Sequence, residues 1–491
     1  MTVKLDPVKP VPALFAVAIT LLIWFVIPAP EGVSQNAWSL LALFVGTIAA
    51  IIGKALPIGA VSIVAIALVA LTQVTNPGNP RGALSDALSG FSNDLIWLIG
   101  ISIMISISLS KTGLGARIGF FLISLFGKRT LGIAYALAVT ETILAPVTPS
   151  NTARGGGIIH PIMRSIADSF DSKPERGSTE KIGRYLALVN YNINPITSAM
   201  FITATAPNPL IVALIYQGTD PAFQMSWMMW AVAAFVPAVV SLILVPLVIY
   251  AIYTPEIRKT PDAPEFAKAQ LQQLGPLSLP EKITLGVFGL LLFMWAGVPA
   301  MIFGSAYEIM PTTAAFIGLS ILLITGVLQW DDVLKNKGAW DTVVWFSALV
   351  MMASFLGKLG LVKWLAVTVG AGIDSLGIGW VPGVLILVLV YVYSHYFFAS
   401  TTAHITAMFA AFFAAGIALG APPLLLALIL AYASSLMMSL THYGTGTAPI
   451  IFGSGYTTLG EWWKVGFAVS VVNLAVWILI GGAWWKVLGY W

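Results

Sequence analysis

Cysteine is absent from this 491-residue chain, and charged residues are scarce, at 9%. Without cysteine there is no disulfide framework, no thiolate metal ligand and no cysteine nucleophile. Because 58% of the residues are apolar, the chain has more apolar surface than a soluble core could bury, which predicts an all-α polytopic membrane protein. The net charge of +4 is small and lies in short connections between apolar stretches. This distribution argues against nucleic acid as a partner.

Apolar runs of about 20 residues predict about eleven membrane-spanning helices. Two longer segments, 130–168 and 378–416, have a polar break near the middle. Such a break is tolerated at membrane depth where protein or a water-filled cavity surrounds it, and it indicates a re-entrant hairpin. Two further segments, 183–215 and 422–453, are too long for one straight crossing and contain prolines, which predicts discontinuous helices.

Matched polar strings occur in the same order in the two halves of the chain. Ser-Asn-Thr-Ala-Arg at 150–154 resembles Ser-Thr-Thr-Ala-His at 400–404, an offset of 250 residues. Thr-Ala-Thr-Ala-Pro-Asn at 203–208 resembles Thr-Gly-Thr-Ala-Pro-Ile at 445–450, an offset of 242, and Asp94 corresponds to Asp341 at 247. The ordered set predicts a duplicated transporter with one site at the repeat interface. The two aspartates are better explained as helix caps.

Lysine and arginine flank the first hairpin on both sides and are sparse around the second. By the positive-inside rule the N-terminus and the first hairpin are cytoplasmic and the second hairpin opens outward, so the repeats are inverted. In the predicted division, residues 1–110 contain the N-terminal scaffold helices and the first helix of the repeat 1 transport part. Residues 225–340 contain the scaffold helices of repeat 2. The transport parts occupy 111–224, with the inner hairpin, and 341–491, with the outer hairpin and the last helix.

The hairpin tips carry the chemistry of the predicted site. A helix that begins at a tip presents uncapped backbone N–H groups, which favour a carboxylate, and hydroxyls and amides add neutral donors. Taken alone, such a string is equally well explained as a helix cap; its repetition favours binding. The predicted substrate-binding residues are Ser150, Asn151, Thr152, Thr205, Ser400, Thr401, Thr402 and Thr447, and Asn208, Thr203 and Thr445 form a possible residual ion or substrate site.

These residues resemble the divalent anion/sodium symporter family across nearly the whole chain. The resemblance implies a homodimer in which a scaffold holds a transport domain that moves as an elevator. It also implies di- and tricarboxylate substrates such as 2-oxoglutarate, malate, succinate and citrate. In sodium-coupled members the Ser-Asn-Thr positions also help bind sodium. The sequence does not choose among the carboxylates.

The chain departs from the sodium-coupled pattern. Thr401 replaces the second signature asparagine, and Ile450 stands where the first half has Asn208. Arg154 and His404 occupy matched positions where sodium-coupled relatives would hold a cation, so these two residues and His442 are predicted to compensate charge. Two further histidines, His160 and His395, are equally well explained as neutral donors packed between helices. Glu141, in the first hairpin, is a candidate partner for Arg154 or a lysine.

The departures predict sodium-independent exchange, as in the 2-oxoglutarate/malate translocator branch. An empty carrier with uncompensated charge at Arg154 would cross an apolar scaffold unfavourably, and a bound dianion would neutralise it. A sodium- or proton-coupled symporter on the same fold is the alternative, with His404 as the coupling group. No enzyme motif, metal-ligand spacing or cofactor motif is present. We expect an integral protein of a bacterial-type inner membrane, in contact with the lipid bilayer.

Overall fold

The computed structural model describes residues 8–219, 225–361, 364, 368 and 379–491. The predicted domain boundaries at residues 1 and 224 and the predicted hairpin boundary at residue 378 lie outside the described residues. The described chain is helical, with one isolated antiparallel bridge between Arg129 and Lys259, so the predicted all-α class is confirmed. The helices are α1 (Pro10–Leu21), α2 (Gln35–Ile52), α3 (Ile58–Thr72), α4 (Pro80–Leu88), α5 (Asp94–Thr112), α6 (Leu114–Phe126), α7 (Thr130–Leu144), α8 (His160–Ser169), α9 (Gly183–Met200), α10 (Pro207–Gly218), α11 (Trp227–Ile252), α12 (Ala263–Leu274), α13 (Leu279–Trp295), α14 (Val298–Phe303), α15 (Pro311–Ile324), α16 (Trp330–Leu334), α17 (Lys337–Lys358), α18 (Trp380–Tyr393), α19 (Thr401–Ala418), α20 (Pro423–Leu436), α21 (Thr447–Gly453), α22 (Leu459–Ala475) and α23 (Gly482–Val487).

Eight helices in the described ranges are long and apolar enough to cross a membrane. They include the 26-residue α11 and both arms of the second predicted hairpin. Other apolar helices, such as α3 and α15, have 10–17 residues. A helix satisfies its own backbone hydrogen bonds, which is why apolar chain takes this form in a bilayer. The figure of about eleven crossings stays a prediction.

Two helical hairpins place the matched strings at their tips. In hairpin 1, α7 ends before a turn that contains Pro146 and Pro149, and the second arm begins with the wide helical turn Thr152–Ile159 and continues as α8. Prolines in the turn cannot extend α7, because they lack the N–H that a helix needs. In hairpin 2, α18 leads through a tight turn to Ser400, which caps α19. Each tip therefore ends one arm and starts another.

Two interrupted helices lie against the hairpins. Broken helix 1 consists of α9 and α10, and the chain between them is extended at Phe201 and Thr205. Pro195 lies within α9 without ending it, whereas Pro207 is the first residue of α10, where its missing N–H costs nothing. Broken helix 2 consists of α20 and α21 and is interrupted over residues 440–446. Both interruptions face the hairpin tips.

The helices pack as two groups. α5 packs against α15 and α17, and α3 packs against α17. α11 packs instead against α9 and against the last apolar stretch, Leu459–Val487, beside the hairpins. The predicted division, which put α11 with the scaffold helices and α5 and α17 with the transport parts, stays a prediction. A helix that is apolar on every side carries no signal for which neighbour it packs against.

Candidate functional site

A polar cavity of about 310 Å³ lies where the two hairpin tips meet the two broken helices. None of its lining residues is charged among those the structure describes. Two larger cavities, of about 810 and 430 Å³, have mainly apolar linings, and Arg117, which lines the larger one, is paired with Glu281. The residues of the polar cavity that the sequence analysis singled out are Ser150, Asn151, Thr152, Thr205, Ser400, Thr401, Thr402 and Thr445.

Both tips present free hydrogen-bond donors to the cavity. Ser150 Oγ accepts the Ala153 N–H at 3.1 Å, and Ser400 Oγ accepts the Ala403 N–H at 3.3 Å. Each serine therefore caps its helix as an acceptor and keeps its own O–H for a ligand. The N–H groups of the residues after the serines have no acceptor among the described residues, as expected for the first turn of a helix. Together with the helix dipole they favour an anion.

Hydrogen bonds connect hairpin 1 to broken helix 2. Asn151 Nδ2 donates to Thr445 Oγ1 at 2.9 Å and lies 3.4 Å from Met438 Sδ. The amide of Asn151 is thus used between the two halves of the chain, and its side chain is a brace at the edge of the cavity. In hairpin 2, Thr401 Oγ1 donates to the Gly444 carbonyl at 3.1 Å. The interruption of broken helix 2 is therefore held by both tips.

Arg154 is fully buried and lies outside the cavity lining. Its Nε lies 2.7 Å from Glu141 Oε1, and its other nitrogens donate to the carbonyls of Thr148 (2.7 Å) and Ala204 (2.8 Å) and to Ser198 Oγ (3.0 Å). The guanidinium fills a cluster of oxygens that joins the hairpin 1 tip to the break in broken helix 1. The expectation of uncompensated charge at Arg154 is wrong, because the Glu141 carboxylate neutralises it.

His404 is also fully buried and does not line the cavity. Its Nδ1 lies 3.0 Å from Nδ1 of His395, on the other arm of hairpin 2. The ring of His404 stacks on Phe398 with centroids 4.5 Å apart and meets Tyr391 edge-on at 4.7 Å. The two histidines join the arms of hairpin 2, as the Glu141–Arg154 ion pair joins those of hairpin 1.

Two predicted ion-site residues instead brace the interruption of broken helix 1. Asn208 Nδ2 donates to the carbonyls of Ser198 (2.7 Å) and Phe201 (2.9 Å), which lie at the end of α9. Thr203 Oγ1 donates to the Pro146 carbonyl at 2.5 Å, so it ties the interruption to hairpin 1. Neither side chain reaches the cavity lining. Asn208 satisfies the Ser198 carbonyl near the end of α9, and Thr203 satisfies a carbonyl in the hairpin 1 turn, because such groups lack helical partners.

Two other predicted residues lie away from the cavity lining. Thr447 is buried, and its Oγ1 lies 3.5 Å from Asn194 Oδ1. His442 is half-buried, and its Nδ1 accepts the indole N–H of Trp463 at 3.2 Å. The structure therefore brings His442 to an aromatic cluster with Tyr443, Phe452 and Trp463.

Asn194, which the matched strings do not include, lies at the centre of the polar network. Its Nδ2 donates to Glu141 Oε1 at 2.6 Å and to the Asn151 carbonyl at 3.1 Å, so it joins the buried ion pair to the hairpin 1 tip. A signal was available, because Asn190, Asn192 and Asn194 lie within an otherwise apolar segment, and polar residues at membrane depth are functional candidates. Three lining residues that the sequence did not indicate, Ile103, Gly338 and Thr342, lie on α5 and α17.

A metal centre has no support in the described ranges, where no group of three or more histidine, aspartate or glutamate side chains comes together.

The fold has a solved counterpart in the Alcanivorax borkumensis YdaH transporter, with a TM-score of 0.55 at 12% identity over 88% of this chain and 99% of that one.

Comparison with known sequences identifies the family. Residues 8–491 match the model of the sodium:sulfate symporter transmembrane region. The chain is 50% identical to a Bacillus subtilis (strain 168) protein named "Putative malate transporter YflS", over 99% of this chain and 98% of that one. It is 44% identical to "Dicarboxylate transporter 1, chloroplastic" of Spinacia oleracea, over 98% of this chain and 82% of that one. The chain therefore belongs to the divalent anion/sodium symporter family of membrane transporters, as its matched polar strings indicated.

Proposed function

We propose that this chain exchanges dicarboxylates of the 2-oxoglutarate, malate and succinate class across the membrane without sodium. The observation that carries the proposal is the polar cavity, into which two helix N-termini from separate hairpins bring free N–H groups and serine hydroxyls. Relatives named for malate and for dicarboxylates support the substrate class.

The chemistry of the cavity favours an anion with two carboxylates. Among the described residues its lining supplies neutral donors and no lysine, arginine or carboxylate. Helix N-termini and hydroxyls stabilise a carboxylate without a fixed positive charge. Because each hairpin contributes one such end, an anion with a carboxylate at each terminus uses both. The lining does not select the length between the carboxylates, so malate, succinate and 2-oxoglutarate remain equivalent candidates.

The surroundings of Arg154 support sodium independence. In transporters with discontinuous helices, carbonyls at the breaks coordinate sodium. Here the carbonyls of Thr148 and Ala204 accept hydrogen bonds from the Arg154 guanidinium. A side-chain cation on hairpin 1 thus occupies oxygens that suit a hard metal ion, and Glu141 balances its charge. In the proposal this arginine acts in place of bound sodium.

Exchange follows from the polar tips. Because Glu141 neutralises Arg154, fixed charge does not prevent the empty carrier from crossing. The barrier comes instead from the free N–H and O–H groups, which would have to pass apolar side chains such as Ile103. Leaving a buried polar group without a partner costs about 1–3 kcal/mol. A bound dicarboxylate satisfies these donors, so the loaded form crosses and the empty form does not.

An elevator movement of inverted repeats accounts for where the cavity meets the helix group that contains α5 and α17. The cavity touches α17 near its start, at Gly338 and Thr342, but touches α5 near its middle, at Ile103. With the 247-residue offset of Asp94 and Asp341, Ile103 corresponds to Val350 and Thr342 to Leu95. In the opposite state the cavity would meet Val350 and Leu95. Eight residues of helix correspond to about 12 Å of movement.

In this proposal the protein is a homodimer in the inner membrane of a bacterial-type cell, with the N-terminus in the cytoplasm. The basic residues around hairpin 1 support that orientation. On this basis the start of α17 faces the cytoplasm, and the cavity of the present structure opens inward.

Counterflow in proteoliposomes tests the function. Uptake of labelled 2-oxoglutarate should require unlabelled dicarboxylate inside the vesicles and should be unchanged when choline replaces sodium. Uptake into vesicles without internal dicarboxylate would contradict exchange. The second candidate, a proton-coupled symporter, is favoured by the buried histidine pair of hairpin 2. It predicts that a pH gradient alone, acid outside, drives net uptake.

A further inference from the structure

The two buried histidines of hairpin 2 face each other through the same ring atom. Nδ1 of His395 lies 3.0 Å from Nδ1 of His404, and both side chains have no exposed surface. At this distance one Nδ1 must carry a hydrogen and the other must offer a lone pair. The contact therefore requires the two neutral rings to be different tautomers. We propose that His395 and His404 form a single proton-binding site that takes up one proton together with the dicarboxylate, a proposal that rests on the function proposed above.

Counting protons on the rings gives the capacity of the site. A neutral histidine has one hydrogen on its two ring nitrogens. The ring that donates through Nδ1 therefore has a bare Nε2, and the ring that accepts through Nδ1 has its hydrogen on Nε2. One more proton can bind the bare Nε2 and make that ring an imidazolium. A second would place N–H against N–H at the shared contact, so the pair holds one added proton. Neither Nε2 atom has a partner among the described residues.

The helices around the pair supply no unpaired carboxylate among the described residues. α22 contacts Tyr393 and Tyr396 of hairpin 2 and contains Glu461 and Lys464, and Glu461 is paired with Arg184. α2, α10, α18 and α20 pack against hairpin 2 or form its first arm, and they contain no aspartate, glutamate, lysine, arginine or histidine. Their titratable residues are tyrosines, of which Tyr391 touches the His404 ring. Broken helix 2 presents the backbone of Gly444, where a Cβ would come within 2.6 Å of His395 Nε2. None of the ion pairs in the described ranges involves either histidine.

This isolation links the proton to the substrate. Arg154 of hairpin 1 has a carboxylate beside it, whereas an imidazolium in hairpin 2 has none among its described neighbours. The His404 N–H donates to the Ser400 carbonyl at 3.1 Å, so the ring lies one helical turn beyond the hydroxyls that line the cavity. A dianion in the cavity is the charge that can offset the proton. Each then raises the affinity of the other by the same factor.

Nitrogen-15 NMR of histidine-labelled protein in nanodiscs tests the pair directly, because the chain has four histidines. Without substrate at pH 8 we expect one ring of the pair with its hydrogen on Nδ1 and the other with its hydrogen on Nε2. Saturation with succinate at pH 6 should convert one of these rings, and not both, to imidazolium. Two neutral rings under that condition, or two imidazolium rings, would overturn the proposal.

Succinate binding measured by calorimetry between pH 8 and 6, in buffers of different ionisation enthalpy, gives the same count in solution. One linked proton raises the affinity up to about tenfold per pH unit, and His395→Asn should abolish most of this dependence. His160→Asn, which removes a buried histidine of hairpin 1, should retain it. An unchanged pH dependence in His395→Asn contradicts the proposal. If counterflow shows no exchange but succinate binding still takes up one proton, the function proposed above fails and this inference stands.

Discussion

Replacing Arg154 with alanine should destabilise the protein strongly. The guanidinium and the Glu141 carboxylate are both fully buried and lie 2.7 Å apart. Without the arginine, the carboxylate stays in the interior without a counter-charge, and breaking a buried pair in this way costs about 3–5 kcal/mol. We expect a loss of that size in the unfolding free energy of Arg154→Ala when potassium is the cation in the buffer.

The same variant should gain a response to sodium. Removal of the guanidinium leaves the Glu141 carboxylate, the carbonyls of Thr148 and Ala204 and the Ser198 hydroxyl around one space. These are the ligand types that hard cations bind. A cation at 100 times its dissociation constant stabilises by about 2.7 kcal/mol, so sodium should recover much of the loss. The assay is thermal unfolding in detergent during titration with sodium, potassium or choline chloride.

Two controls make the result specific. Glu141→Gln combined with Arg154→Ala removes the carboxylate, so the sodium response should disappear. Arg176→Ala breaks a surface pair whose partners are 63% and 51% exposed, and it should change stability by about 0–1 kcal/mol. If Arg154→Ala is as stable as the unchanged protein, or responds equally to sodium and potassium, the arginine does not stand in for a cation.

Two other predictions follow from the cavity. Because the chain has no cysteine, Ala399→Cys with Thr342→Cys should cross-link in the present state through a short bifunctional methanethiosulfonate, which forms a disulfide with each thiol. Ala399→Cys with Val350→Cys should cross-link only in the opposite state. Each cross-link should stop transport until a reductant cleaves the disulfides. Gly446→Ala should weaken dicarboxylate binding at least tenfold, since its Cβ would lie 2.6 Å from a hairpin 1 hydroxyl, whereas Gly453→Ala, with open space around it, should bind normally in the same calorimetric assay.

The sequence was sufficient for the all-α class, for the family and for most of the polar residues that line the cavity. Matched hydroxyl strings within apolar sequence identify hairpin tips, because polar, irregular backbone is tolerated at membrane depth only where protein or a water-filled cavity surrounds it. The positions of Ser150, Thr152, Ser400 and Thr402 in the lining agree with that reasoning. The strings are local, and a local pattern can be read without knowing which helices meet.

The rest of the site depends on contacts between distant segments. Whether Arg154 is paired could not be decided from its neighbours, because Glu141 lies on the other arm of the hairpin and Asn194 orients it from broken helix 1. The sequence placed Thr447 at the substrate and Asn208 at a possible residual ion or substrate site, but an interrupted helix leaves free carbonyls and hydroxyls that side chains must satisfy. Residues that brace an interrupted helix and residues that bind a ligand are of the same polar types, so the sequence alone does not distinguish them.

A structure of the full-length protein in nanodiscs with bound malate tests the central claim most directly. The account predicts one malate between the tips, with carboxylate oxygens about 2.7–3.2 Å from the N–H groups of Thr152 and Thr402. It also predicts that Arg154 still fills its oxygen cluster in a sodium buffer. Malate bound away from both tips, or a sodium ion bound beside a displaced Arg154, would contradict the account.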